Sequence, residues 1–390
     1  MTRPGVRVLY AAAAALMFAA CSALNPLNWW GGSDNGPKPA PLGEIKPTLA
    51  VTPMWRAAVG AAGAYLFVPA INEGHLFAAA ADGTLASFDA TTGSQRWRVQ
   101  ANRAGLSAGV GAGAGTVVVA TLKGEVLAFD HSGAPKWKAQ VSSEVLAPPL
   151  VADGLVLVRS NDNRIYALST DDGRRQWVYQ RSAPALVVRN FGGVAAGLGV
   201  IYAGFPGGKL VALAATNGSL RWEGTVALPK GSTELERIAD VTSAPVFNDR
   251  AICAVAYQGR AACFDAGTGQ PVWSRDVSSH AGIAIDSRYA FVTDERSAIV
   301  AMSATTGSSL WKQDKLLNRG LSAPLSIGRA LIAGDYQGFL HALSREDGSF
   351  IGRVQTDSTW IAAPPLALPA GGTEGVIVQT RGGGLFAFSL

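Results

Sequence analysis

Residues 85–97 read Leu-Ala-Ser-Phe-Asp-Ala-Thr-Thr-Gly-Ser-Gln-Arg-Trp. Up to Asp89 the residues alternate between two faces, one of them apolar, which is typical of a β-strand with one buried side. The Thr-Gly pair that follows indicates a turn. The stretch therefore predicts a strand and a turn, followed by an outer strand that carries Trp97.

This unit recurs along the chain. Tryptophan stands at positions 55, 97, 137, 177, 222, 273 and 311, with gaps of 42, 40, 40, 45, 51 and 38 residues. A glycine lies four residues before each tryptophan from the second onward: Gly93, Gly133, Gly173, Gly218, Gly269 and Gly307. A further unit has Gly348, with Gly352 where a tryptophan is due. Units of about 40–45 residues with room for four short strands are typical of propeller blades.

The number of units predicts a closed ring. A Pro or Gly opens each unit, at positions 69, 109, 149, 193, 245, 282, 324 and 365. We therefore expect an all-β, eight-bladed β-propeller of four-stranded blades over residues 51–390, with each tryptophan wedged against the neighbouring blade. The last unit ends at Leu390 without its outer strand. Residues 51–59, around Trp55, are predicted to pair with the last blade and close the ring, which removes its exposed edges.

The N-terminus predicts export. Residues 1–20 combine two arginines with an apolar run and read as a secretory signal peptide, too short for a membrane span. Phe18-Ala19-Ala20-Cys21 resembles the lipobox of bacterial lipoproteins, which implies that Cys21 carries lipid. Ser22 after it implies sorting to the outer membrane. The alternative is an ordinary signal peptide followed by a chance cysteine. Residues 21–50, rich in Pro, Gly, Asn and Ser, are predicted to be a flexible tether from lipidated Cys21.

Composition excludes two classes of protein. With 48% hydrophobic and 16% charged residues, the chain is not intrinsically disordered. The formal net charge of +5 falls to about +3 without the signal peptide, and no Lys/Arg run occurs. A nucleic acid is therefore not an expected partner.

Two connections break the repeat. Most closing tryptophans lie 10–14 residues before the next opening position, whereas Trp177 lies 16 residues before Gly193 and Trp222 lies 23 residues before Pro245. Both loops leave an outer strand for the next inner strand, so a propeller places them on one face. Insertions that leave the blades intact tend to carry function. This face, between blades three and five, is the candidate site.

Each loop has two readings. In the first loop, residues 181–190, Leu186 and Val188 are candidate anchors for a partner, closed by Arg189; alternatively, they pack the loop onto its own blade. In the second loop, residues 230–240, the sequence is compatible with a short helix capped by Ser232 or Thr233, or with a solvated loop.

A resemblance to a known family adds to this reading. The Ala/Asp-x-Thr-Gly-x-x-x-Trp unit resembles the repeat of pyrroloquinoline-quinone-type propellers. With the lipobox and eight units, essentially the whole mature chain is similar to the propeller lipoproteins of the outer-membrane β-barrel assembly machinery. The most specific stretches are residues 184–189, Pro-Ala-Leu-Val-Val-Arg, and residues 231–241. The first is similar to the family's Leu-x-Leu-Arg loop, with Val188 in place of the second leucine.

The resemblance implies a non-catalytic scaffold on the periplasmic face of an outer membrane. In the family these loops contact BamA, the barrel-forming subunit, through its periplasmic POTRA domains. Carried over, Leu186, Val188 and Arg189 are contacts and Asp240 supports them. A second family aspartate is replaced here by Thr242, so its role is not carried over. Unfolded outer-membrane proteins are a further candidate partner.

Two other functions use the same fold: a quinone-dependent dehydrogenase and a propeller that binds a surface or matrix ligand. The dehydrogenases use a vicinal Cys-Cys pair, but the cysteines here are at 21, 253 and 263. The four histidines are expected on separate blades without metal-ligand spacing. We therefore expect no cofactor, metal or catalysis. Cys253 and Cys263 flank one hairpin turn, and the sequence leaves open a disulfide or two buried thiols.

Overall fold

A computed structural model describes residues 37–182, 184–189, 191–248, 250–368 and 374–390. These residues form 32 β-strands and no helix. One compact unit spans Pro39–Leu390. The predicted signal peptide and the predicted lipidation site, Cys21, lie outside the described residues.

The chain enters the ring with β1 (Thr52–Ala58). Blade one comprises β2 (Ala70–Asn72), β3 (His75–Ala79), β4 (Thr84–Asp89) and β5 (Gln95–Gln100). Blade two comprises β6 (Gly111–Gly113), β7 (Thr116–Ala120), β8 (Glu125–Asp130) and β9 (Pro135–Gln140). Blade three comprises β10 (Leu150–Ala152), β11 (Leu155–Ser160), β12 (Arg164–Ser169) and β13 (Arg175–Gln180). Blade four comprises β14 (Val194–Gly197), β15 (Val200–Phe205), β16 (Lys209–Ala214) and β17 (Leu220–Thr225).

The second half repeats this plan. Blade five comprises β18 (Val246–Phe247), β19 (Ala251–Val255), β20 (Ala261–Asp265) and β21 (Pro271–Arg275). Blade six comprises β22 (Gly282–Ile285), β23 (Tyr289–Thr293), β24 (Ile299–Ser303) and β25 (Ser309–Gln313). Blade seven comprises β26 (Leu325–Ile327), β27 (Ala330–Gly334), β28 (Phe339–Ser344) and β29 (Phe350–Gln355). Blade eight takes β30 (Leu366–Leu368), β31 (Gly375–Gln379) and β32 (Gly384–Ser389).

The predicted eight-bladed propeller is confirmed. The described strands form eight four-stranded antiparallel sheets, each ordered from the inner to the outer strand. Because consecutive strands run in opposite directions, every connection between blades emerges on one face, together with the turn between the second and third strands of each blade. We call this the loop face.

The ring closes as the sequence predicts. β1 pairs antiparallel with β32, with Trp55 opposite Ala387 and Ala58 opposite Gly384. β1, the first strand in the sequence, is therefore the outer strand of blade eight. Blade eight is thus held to blade one by a strand from the opposite end of the chain.

The repeated tryptophan and glycine form the joints between blades. Each tryptophan lies on the glycine of the following blade, so closely that a β-carbon on that glycine would lie within 3 Å of the indole ring. The seven pairs are Trp55–Gly93, Trp97–Gly133, Trp137–Gly173, Trp177–Gly218, Trp222–Gly269, Trp273–Gly307 and Trp311–Gly348. Each indole N–H also donates to a backbone carbonyl of the following blade, as Trp137 does to Thr170 at 2.9 Å.

The core is divided among the joints. The described residues form eight buried apolar clusters, and each draws its members from two adjacent blades. For example, Leu157 and Ile165 of blade three pack with Ile201 and Leu213 of blade four. Since burial of apolar area is the main favourable term in folding, a single blade has little stability without its neighbours.

The N-terminal boundary differs from the expectation. Within the tether predicted over residues 21–50, Ala40 N–H donates to the carbonyl of Leu317 at 2.8 Å. Thr48 N–H and Leu49 N–H both lie 2.9 Å from the carbonyl oxygen of Ile351. Residues 40–49 are therefore bound to the propeller, because their backbone groups find partners on blades six and seven.

A disulfide links Cys253 and Cys263, the alternative that the sequence left open. The two residues lie directly opposite each other on β19 and β20. Both are fully buried in the cluster between blades five and six. The disulfide therefore cross-links the two strands of one hairpin in the core and is not accessible to solvent.

The tryptophan–glycine joint can be tested in blade three. Gly173 and Gly154 have nearly the same positive φ, 71° and 75°, but only Gly173 has a tryptophan above it. Gly154→Ala should cost about 1–2 kcal/mol of stability through backbone strain. Gly173→Ala should cost about 1–3 kcal/mol more, because the methyl group displaces Trp137. Equilibrium denaturation measures both, and equal losses would show that the indole contact contributes nothing.

Candidate functional site

The two long connections, 181–193 and 226–245, lie side by side on the loop face. The Asp240 carboxylate joins them: one oxygen accepts from Val188 N–H at 2.7 Å and the other from Gly207 N–H at 3.0 Å. Gly207 belongs to the turn between β15 and β16. A single carboxylate from the second loop therefore fixes the first loop against blade four.

Asp240 can do this because it is buried. Its exposed fraction is 1%, and its neighbours Ala239 and Val241 pack in the core between blades four and five. A buried carboxylate is costly unless its oxygens accept hydrogen bonds. The family resemblance implied a supporting role for Asp240, and the structure shows its carboxylate bound to the backbone of the first loop.

Arg159, near the end of β11, also holds the connection that contains the first loop. Its guanidinium donates to the carbonyl of Gly192 at 3.1 Å and lies 5.1 Å over the ring of Phe205. Burial lowers the pKa of Arg159 to about 10, and the negative charge of Asp240 partly offsets that shift. Arg159 therefore stays cationic at neutral pH. An arginine inside the apolar strand Leu-Val-Leu-Val-Arg-Ser was the sequence signal for this role, but the role was not predicted.

Arg189 is oriented by an ion pair across the loop face. Its guanidinium binds the carboxylate of Glu144 at 2.8 Å, and Glu144 also accepts from the Asn161 side chain at 2.8 Å. About half of the Arg189 side chain remains exposed. Because an exposed pair contributes only about 0–1 kcal/mol to stability, its main effect here is to hold Arg189 in one position. Nothing in the sequence pattern singled out Glu144.

The first loop displays apolar side chains to solvent. Leu186 is 44% exposed and Val187 is also exposed, whereas Val188 is partly buried. Of the two readings made from the sequence, packing onto the blade does not describe Leu186. Val188 is bound through its backbone N–H. The exposed pair is therefore Leu186 and Val187.

The connection over residues 226–245, which contains the second loop, adds two exposed leucines, Leu228 at 63% and Leu235 at 67%. The helix considered for this loop does not form. Thr233 Oγ1 accepts from Glu236 N–H at 3.2 Å, and the Glu236 carboxylate accepts from Thr233 N–H at 3.1 Å, which is a capping box. Only one turn follows the capping box, because Asp240 and its apolar neighbours, a few residues later, are buried in the core.

His75, His131 and His341 lie on separate blades, as the sequence predicts, although two of them are close together in space. His75 and His131 lie on neighbouring blades with their ring centroids 5.6 Å apart. His341 is buried and contacts Asp335 at 3.0 Å. In the part of the chain that the structure describes, no three His, Cys, Asp or Glu side chains are grouped as metal ligands. In the same residues, no helix is long and apolar enough to span a membrane.

These features define a class: a propeller of PQQ-like repeats that holds two loops rigidly on one face. Comparisons with known proteins agree. A family model described as "Outer membrane protein assembly factor BamB" matches residues 52–104 and 81–313. The chain is 40% identical to the protein of that name from Bordetella pertussis, over 95% of each chain. It is 42% identical to that from Burkholderia pseudomallei, over 97% of this chain and 96% of the relative. The chain belongs to the BamB family of outer membrane protein assembly factors.

Solved structures match the fold. The crystal structure of BamB from Moraxella catarrhalis aligns with a TM-score of 0.79 at 24% identity, covering 87% of this chain and all of the other. A quinohemoprotein alcohol dehydrogenase from Pseudomonas putida aligns with a TM-score of 0.71 at 12% identity, covering 87% of this chain and 76% of the enzyme. At these identities the likeness concerns the fold alone, and the dehydrogenase is a distant neighbour in that fold.

The role of Asp240 gives a prediction. Asp240→Ala should cost about 2–4 kcal/mol of stability, because the N–H groups of Val188 and Gly207 lose their acceptor and the buried Arg159 loses a nearby negative charge. Glu234→Ala, on the exposed part of the same loop, should change stability by less than about 0.5 kcal/mol. Urea denaturation measures both variants. A loss for Asp240→Ala no larger than the loss for Glu234→Ala would contradict the structural role assigned to Asp240.

Proposed function

We propose that this protein is a non-catalytic scaffold that helps to insert β-barrel proteins into the outer membrane, as a subunit of the BAM complex. Its loop face docks onto the periplasmic POTRA domains of BamA. The observation that carries this proposal is the buried Asp240 carboxylate, which fixes the first loop so that Leu186, Val187 and Arg189 face solvent. The names of the family members and the resemblance of the loops support the choice of partner.

The chemistry of the loops suits protein binding. Exposed apolar side chains beside an arginine are the residue types that contribute most at protein interfaces. The loop backbone is held before binding, so little conformational entropy is lost on docking. Val188 enters this proposal as a positioning residue, since its N–H is bound by Asp240 and its side chain is partly buried. Leu186 and Arg189 are the direct contacts.

A double variant tests the docking. Leu186→Ala with Arg189→Ala should abolish co-purification with BamA while the thermal transition stays unchanged, because both side chains are exposed. Leu220→Ala is the control: Leu220 is 50% exposed on the outer strand of blade four, away from both loops. It should leave co-purification intact. Retained BamA in the double variant, or a different ligand recovered with the wild type, would contradict the proposal.

We further propose that Cys21 is lipidated and anchors the protein to the periplasmic face of the outer membrane. The lipobox-like sequence before Cys21 supports this. Several acyl chains on one residue give firm anchoring, since each buried methylene contributes about 0.8 kcal/mol.

The anchor has its own test. Cys21→Ser should abolish the incorporation of radiolabelled palmitate and release the protein from the outer-membrane fraction. Cys253→Ser with Cys263→Ser is the control, because those sulfurs are buried and bonded to each other. Labelling that persists in Cys21→Ser would contradict lipidation at this residue.

A further inference from the structure

Blade seven departs from the repeat at its joint. Gly352 lies opposite Ala342 on β28, at the register position where Trp311 of blade six lies opposite Ala301. A β-carbon on Gly352 would lie 2.9 Å from Cγ2 of Val51 and 3.0 Å from the carbonyl oxygen of Leu49. The chain's own N-terminal segment thus occupies the place of the missing tryptophan. Leu49 and Val51 also pack on the apolar cluster between blades seven and eight.

We call residues 39–51 the strap. Three arginines of blades six and seven donate to its backbone carbonyls: Arg319 to Ala40 at 3.0 Å, Arg353 to Gly43 at 3.0 Å and Arg329 to Thr48 at 2.7 Å. In addition, Leu42 packs on the cluster between blades six and seven. The strap therefore starts on the loop face, crosses the outside of the ring and enters the joint between blades seven and eight.

Two of these arginines belong to a buried polar cluster. Arg319 contacts Oδ2 of Asp335 through Nε at 2.8 Å and Nη2 at 2.7 Å. His341 Nε2 lies 3.0 Å from the same oxygen, and Arg353 Nε donates to His341 Nδ1 at 3.2 Å. Nδ1 accepts a hydrogen bond from Arg353, so the imidazole hydrogen is on Nε2. Nε2 therefore donates a hydrogen bond to Asp335. Asp335 and His341 are fully buried and Arg319 is 3% exposed.

Such a cluster is weak evidence for stability, because removing the charges from water offsets their attraction. The corresponding turn of blade six has the pair Lys312–Asp294 instead, in which the lysine is exposed and the aspartate is partly buried. What the blade-seven cluster does provide is orientation. Asp335 and His341 fix the guanidiniums of Arg319 and Arg353, and each guanidinium keeps one N–H for the strap.

We propose that this cluster and the site over Gly352 together form a binding site for an extended peptide segment, whose ligand is the strap of the same chain. In this site the oriented arginines bind backbone carbonyls of the peptide. The joints between blades six and seven and between blades seven and eight bind its apolar side chains. Three prolines, Pro39, Pro41 and Pro47, restrict the unbound strap and reduce the entropy lost on binding. Because the strap precedes β1, a force applied to the N-terminus acts on the arginine contacts before it acts on β1.

Hydrogen–deuterium exchange of the mature chain tests the arginine contacts. In the wild type, peptides covering residues 38–50 should retain slow amides at Ala40, Thr48 and Leu49. Arg353→Gln should speed their exchange at least tenfold and leave β1 unchanged. Lys312→Gln is the matched control, since Lys312 follows Trp311 as Arg353 follows Gly352, and it should have no effect. Exchange at the unfolded-peptide rate in the wild type, or equal effects of the two variants, would overturn the proposal.

A change within the strap avoids disturbing the blades. Leu42→Ser should speed exchange at Ala40 several-fold, because the side chain that packs between blades six and seven is lost. Glu44→Ser, on an exposed residue two positions away, should not. Unchanged exchange in Leu42→Ser would show that the strap does not depend on this contact and would count against the site.

Discussion

The contact between an indole ring and the glycine of the next blade is the interaction on which the ring depends. It repeats at seven joints, and at each of them a hydrogen bond from the indole N–H fixes the direction of approach. Glycine serves there for two reasons: its φ is positive, and any side chain would overlap the ring. These contacts therefore fix how each blade lies against the next at seven of the eight joints.

The spacing of tryptophan and glycine, together with the Pro or Gly that opens each unit, was sufficient to predict the fold. Both residues have a physical meaning at their positions, and so the count of eight and the closing role of Trp55 could be read without a structure. The pattern could not reveal what happens where it fails. Gly352 marked the missing tryptophan, but a segment far away in sequence fills its place. Proline-rich, aperiodic residues resemble a free linker, and only the hydrogen bonds that the structure shows to blades six and seven reveal that residues 40–49 are bound.

The candidate site was predicted in position but not in detail. The two loops stood out by length, because an insertion between intact blades disturbs no core. The family resemblance implied a supporting role for Asp240, and its burial and its two hydrogen bonds give that proposed role a physical basis. Glu144 and Arg159 were missed, since ion pairs between different connections leave no periodic signal. Val187 was not predicted, because the alternation of apolar residues suggested Leu186 and Val188 as the anchors. In the structure the N–H of Val188 is bound by Asp240 and its side chain is partly buried, whereas Val187 is exposed.

The pairing of β1 with β32 has a consequence for biogenesis. β1 spans Thr52–Ala58, whereas its partner strand β32 spans Gly384–Ser389, more than 300 residues later in the sequence. Closing a loop of that length is entropically unfavourable, and topologies dominated by distant contacts form slowly. The circle is therefore completed only after β32 has been synthesised. Until then, β1 lacks its partner strand, and an unpaired strand edge is open to pairing with other chains.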